Sequence, residues 1–160
     1  MTTQRIAFGL VGFALCASAF AAQDPAQVCA VRAQGIYGFQ CHGSASTGGP
    51  LEPATFIGTV EGRYDGFYEG YGTFNTAQGS APTHVAGYAT FGKNCFGRVS
   101  YTTNEILLPG GGTVPLPPLV VDFVPVANFN EILGMPVADA GVNGAAVPRL
   151  VCRLVRIKQE

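Results

Sequence analysis

The chain has 160 residues, of which 48% are hydrophobic and only 12% charged, with 22 glycines, 11 prolines, no tryptophan and a formal net charge of −1. So apolar and weakly charged a composition excludes an intrinsically disordered chain. The balance of 9 Lys/Arg against 10 Asp/Glu argues against nucleic acid as a partner, because phosphate binding needs a concentrated positive field.

In chain order, residues 1–5 carry one positive charge, 6–17 are almost wholly apolar, and Ala19-Phe20-Ala21 places small residues where a signal peptidase accepts them. The expectation is a signal peptide over 1–21 and one domain over 22–160, secreted or periplasmic. The apolar run is shorter than the ~20 residues of a membrane span and no basic stop-transfer cluster follows it, so no stable membrane anchor is expected. Cys16 follows Leu15, where a lipoprotein signal wants a small residue. Removing the signal leaves about 138 residues, enough for one core and too few for two.

A single helical turn is expected in 25–34. From there to residue 103, glycines alternate with aromatic and β-branched residues in short runs such as GIYGFQC, TFIGTVEG and GFYEGYGTF. Side chains along a strand alternate faces, so these runs read as strands that each bury one face. Eight strands are expected, at 35–42, 54–61, 66–75, 83–91, 95–103, 119–126, 131–137 and 146–157. Asp65-Gly66 and Gly92-Lys93-Asn94 supply residues that tolerate positive φ, as short hairpin reversals require. The fold class is therefore all-β. The simplest topology is an antiparallel up-and-down barrel of about eight strands, since closure removes exposed edges.

Four cysteines remain after the signal: Cys29, Cys41, Cys95 and Cys152. An even number of widely spaced cysteines in an exported chain reads as disulfides. Zinc would prefer a close Cys-x-x-Cys pair or clustered histidines, so no metal and no cofactor are expected. In an up-and-down barrel only Cys41–Cys152 with Cys29–Cys95 joins cysteines at like heights. Cys41 shares its face with Tyr37 and Phe39, and Cys152 shares its own with Leu150 and Leu154. The C-terminal Arg149, Arg153, Arg156 and Lys158 are expected to solvate the last strand.

Segment 104–118, NEILLPGGGTVPLPP, is the longest break in the strand pattern. Loops of such length in small domains are commonly lids or linkers. Its apolar residues, Leu107, Leu108 and Leu116 among them, point to a lid over the top of the barrel.

The pattern Gly35-x-Tyr37-x-Phe39-x-Cys41, the run HVAGYATFGKNCFGRVSY at 84–101, the valine-rich 120–126 and the stretch 131–149 resemble small secreted microbial barrels of the calycin-like or allene-oxide-cyclase-like kind. The resemblance implies a closed barrel with a lined cavity. It transfers no catalytic residue.

Motifs for chemistry are sparse. There is no G-x-S-x-G, so Ser44 and Ser46 near His42 read as loop hydroxyls. Gly110-Gly111-Gly112 lacks the lysine and helix start of a phosphate loop. Glu61, Glu69 and Asp122 are the carboxylates among which a glycosidase pair would be sought, and alternation places Glu69 and Asp122 toward solvent. His42, His84 and Asp139 fall at the expected top rim, where histidines can move protons. The leading expectation is non-enzymatic binding of a small apolar ligand, met by Tyr37, Phe39, Phe123 and Leu154, the residues on the more apolar face of their strands. The alternatives are a filled barrel that binds a protein partner through its surface, and an isomerase or cyclase that works in the cavity.

Overall fold

The alternation in the sequence is obeyed in three dimensions. In the computed structural model of the protein, which describes residues 24–45, 50–137 and 149–158, β1 (Gly35–Ala45) buries Tyr37, Phe39 and Cys41 and exposes Gln40 and His42. Helix α1 (Pro25–Arg32) precedes it. Then come β2 (Glu52–Gly62), β3 (Phe67–Thr76), β4 (Gly79–Phe91), β5 (Gly97–Leu107), β6 (Thr113–Pro115), β7 (Leu119–Val126), β8 (Glu131–Val137) and β9 (Arg149–Lys158). The expected signal peptide lies outside the described residues, as does the start of the expected last strand.

Every strand pairing is antiparallel, and eight strands close in a ring in the order β1-β2-β3-β4-β5-β7-β8-β9. The ring shuts where β9 meets β1. There Cys41 and Cys152 stand directly opposite each other, with Cα atoms 4.0 Å apart, and form one disulfide. The second, Cys29–Cys95, ties α1 to the turn before β5 across a Cα separation of 5.2 Å. Both are the pairs expected from matched heights.

Curling the sheet forces close approaches. A Cβ at Gly58 would lie 2.2 Å from the Tyr71 carbonyl oxygen and 3.0 Å from the Phe39 ring, so only glycine lets β2 and β3 pass beneath that ring. The turn at Arg63–Gly66 closes with the Gly66 N–H donating to the Arg63 carbonyl, and Gly66 has φ of 82°, a conformation open to glycine at no steric cost. Phe39, Phe56 and Phe74 pack edge to face across the interior, with centroids 4.6 and 6.3 Å apart.

Helix α1 stops the lower end of the barrel. Asp24 caps it by accepting from the Ala26 N–H, and Pro25 starts it where a missing N–H costs nothing. Its last turn brings the Ala33 carbonyl beneath the barrel, where it accepts from both the Tyr37 hydroxyl (3.1 Å) and the Tyr68 hydroxyl (3.3 Å). Arg156 overturns an expectation here. Instead of solvating the last strand it continues the inward alternation of Leu150, Cys152 and Leu154, because the irregularity in the β1–β9 pairing falls only beyond it. Its guanidinium donates to the Tyr37 hydroxyl and to the Arg32 carbonyl and lies 5.2 Å over the Tyr37 ring. Arg153 does point outward and holds Glu131 in a two-bond pair.

Segment 104–118 is also corrected. Most of it is paired: β5 runs on to Leu107, a turn closed by Leu108 and Gly112 reverses the chain, and β6 returns along β5 with Leu107 opposite Thr113. The Leu116 N–H then donates to the Asn104 carbonyl before β7 takes up the same side of β5. What reads as a loop is a long hairpin whose returning strand is interrupted at Leu116-Pro117-Pro118, where prolines cannot donate to the ladder. Leu108 is exposed at its tip.

Candidate ligand cavity

The inward faces of the strands do not fill the barrel. They enclose a cavity of about 70 Å³ open to the centre of a water molecule. Its walls come from Phe39 and Cys41 on β1, Phe56 and Val60 on β2, Tyr68 on β3, Val85 on β4 and Val99 and Tyr101 on β5. β7 adds Leu119, Val121 and Phe123, β8 adds Ile132, Gly134 and Pro136, and β9 adds Leu150, Cys152 and Leu154. Leu119, Pro136 and Leu150 stand where β7 begins, β8 ends and β9 begins, at the end opposite α1. Among the described residues the lining side chains are apolar apart from the tyrosines Tyr68 and Tyr101, and the sulfurs in it belong to a disulfide.

Three of the four residues expected to meet a ligand, Phe39, Phe123 and Leu154, are in this wall. Tyr37 is not. It is fully buried below the cavity, and its hydroxyl is engaged by Ala33 and Arg156, so it belongs to the stopper at the base. Leu107, Leu108 and Leu116 do not line the cavity either. The wall residues that sequence reasoning passed over are chiefly Val99, Tyr101, Val121 and Ile132. Val99 and Tyr101 lie in an alternating run that could have signalled them.

Tyr101 shares the inward face of Gly97 and Val99 by alternation along β5, and a bulge follows it directly. Pairing of β4 with β5 steps from Ala86↔Thr103 to Gly87↔Tyr101, which leaves Thr102 without a partner and turns the strand. Gly87 permits the close crossing, since a Cβ there would lie 2.0 Å from the Ser100 carbonyl oxygen. Burial pushes the Tyr101 phenol up from its usual 10.0, so it stays protonated at neutral pH. The Tyr68 phenol is raised by burial as well, with a smaller contribution from Tyr37.

The histidines do not face this space. His42 is exposed on the outer side of β1, and two strands separate it from His84 on β4, so they do not meet. Asp139 lies outside the described residues. His84 sits on the outer wall in a polar cluster of its own. Its ring nitrogens lie 2.9 Å from Glu105 Oε1 and 3.1 Å from Glu69 Oε1, and the ring stacks on Tyr71 at 4.5 Å. Arg63 joins the same cluster by donating to Glu61 and Glu69. The hydrogen bond from His84 holds the Glu105 carboxyl below its ordinary 4.5, with a further bond from Thr113. Asp122 is held low by its two-bond pair with Arg98, which stands directly opposite it on β5 and also faces outward. Glu61 stands directly opposite Glu69 in the β2–β3 ladder and Arg63 donates to both, so this carboxyl pair is bridged by a guanidinium on the outer surface, away from the cavity, while Asp122 is held by Arg98.

Fold and site together define a closed eight-strand antiparallel barrel, stapled by two disulfides, around an apolar cavity with a stoppered base. No protein-family model matches the chain, and no curated protein or solved structure matches it either.

Proposed function

We propose that this is an exported protein whose barrel binds a small apolar molecule without transforming it. The observation that carries this reading is the character of the wall: among the described residues the cavity is lined by apolar side chains and two phenols, with no carboxylate, imidazole or ammonium converging on it. A proton-moving isomerase or cyclase needs a base as well as an acid within hydrogen-bond reach of its substrate, and burial keeps both phenols protonated, able to donate but not to accept a proton. Eight-strand barrels have room for one small ligand, and at 10–15 Å³ of such open space per water the volume here admits roughly five to seven waters, about 150–210 Å³ of liquid, whose upper end suits a ligand of about ten non-hydrogen atoms. The two disulfides fit an oxidising compartment, which supports export.

The test is a methyl-region NMR titration of the folded protein with α-methylstyrene. Saturable shifts concentrated at Val99, Val121, Ile132 and Leu154 are expected. Absence of any saturable shift in these methyls overturns the reading. One observation favours a second reading: Val124, Leu133, Met135 and Val151 are exposed on the outer wall of β7, β8 and β9. An outward apolar strip of that kind suits a protein partner, and this reading takes over if the cavity proves unable to bind.

A further inference from the structure

Among the described residues, one side-chain hydroxyl of the cavity wall has no hydrogen-bond partner in the protein. Tyr68, the other phenol in the wall, donates its hydroxyl proton to the Ala33 carbonyl. The Tyr101 hydroxyl makes no hydrogen bond to any described residue. It is nevertheless not a sealed orphan, because no buried side-chain nitrogen or oxygen among the described residues is left unsatisfied, so its oxygen must reach open space. Tyr101 is one of the residues that line the cavity. Alternation along β5 from Gly97 and Val99 turns Tyr101 inward, and the bare Gly87 lets β4 pass close beside it.

We infer that the molecule held in this cavity is a neutral carbonyl compound, a ketone, aldehyde or ester of about ten non-hydrogen atoms, whose oxygen accepts a hydrogen bond from the Tyr101 hydroxyl. This rests on the cavity being a binding site at all. The phenol selects an acceptor because a protonated phenol in an apolar wall lacks a partner for its O–H, and such a donor gains most from a carbonyl oxygen. The rest of the wall selects neutrality. Among the described residues a carboxylate would find no cation in the wall to pair with, since the inward-facing Arg156 lies below the cavity and is occupied by Tyr37 and the Arg32 carbonyl.

The experiment uses two probes of nearly the same shape, acetophenone and α-methylstyrene, which differ in carrying C=O or C=CH₂. Dissociation constants are measured for each on the wild-type protein and on Tyr101→Phe. Because the Tyr101 hydroxyl has no described partner, Tyr101→Phe should keep the urea midpoint of the wild type. Acetophenone should bind the variant about tenfold more weakly, the worth of one hydrogen bond, while α-methylstyrene binds both proteins alike. If both probes bind and acetophenone does not distinguish the proteins, the Tyr101 inference fails while the binding cavity stands. If neither probe binds, the cavity reading fails first and takes the inference with it. The infrared carbonyl stretch of acetophenone bound to wild type provides a measurement independent of the variant's folding. A shift to lower frequency relative to acetophenone in alkane is expected, and an unshifted band refutes the hydrogen bond.

Discussion

Replacing Cys41 and Cys152 together by alanine removes the covalent clasp at the seam where the barrel closes. The residues face each other in a ladder that runs from Ile36 to Ser44 on β1, so the native seam retains its backbone hydrogen bonds and the loss falls mainly on the unfolded state. The two cysteines are 111 residues apart, and the chain-entropy relation assigns a loop of that length about 4.8 kcal/mol at 25 °C. With Cys29–Cys95 intact, the shorter covalent path runs back to Cys29, across that bridge and on from Cys95. It is on the order of 70 residues, which lowers the figure to about 4.4 kcal/mol. Against a typical total stability of about 5–15 kcal/mol, that is a large fraction. For a urea m-value of about 2 kcal/mol/M, the midpoint should fall by about 2 M with m little changed. The chain has no tryptophan, so the transition is followed by tyrosine fluorescence together with far-UV circular dichroism. A midpoint lowered by less than about 0.5 M at constant m would refute the assignment of the clasp's stabilisation to chain entropy.

Gly58→Ala places a methyl group 2.2 Å from the Tyr71 carbonyl oxygen and 2.5 Å from the Gly72 Cα, backbone that cannot swing aside, so a loss of at least about 1–3 kcal/mol is expected. An unchanged urea midpoint for that variant would show that β2 and β3 can separate at this crossing without loss. The Glu105 carboxyl, held below 4.5 chiefly by the His84 hydrogen bond, contributes stability that is present above about pH 4.5 and lost as pH falls through its lowered value. His84→Leu should raise the titration midpoint of the Glu105 side-chain carbonyl carbon in NMR, and a midpoint that does not move would mean that Thr113 alone holds the carboxyl low.

Much of the architecture was legible in the chain because it depends on short-range order. Alternation over four or five residues states which face of a strand is buried, and it placed β7 and β8 at 119–126 and 131–137 with their observed bounds. It also put Phe39, Phe123 and Leu154 inward, where they line the cavity. Counting strands up and down then sufficed to pair the cysteines, since a disulfide requires two side chains at one height. Periodicity does not say how far along the axis an inward residue lies. Tyr37 and Phe39 are two residues apart on one face, yet one belongs to the stopper and the other to the cavity, a division set by where α1 docks. Nor does composition distinguish a lid from a hairpin: the glycines and prolines of 104–118 serve a turn and an interruption inside paired strand, which becomes evident only when β5 is there to pair with. Alternation after Val99 could have placed Tyr101 inward, but it does not say that the hydroxyl ends without a partner, which depends on what the neighbouring strands bring to that height: the one-residue mismatch between β4 and β5 is a property of two strands held in register by the closed barrel, which neither strand's own sequence contains.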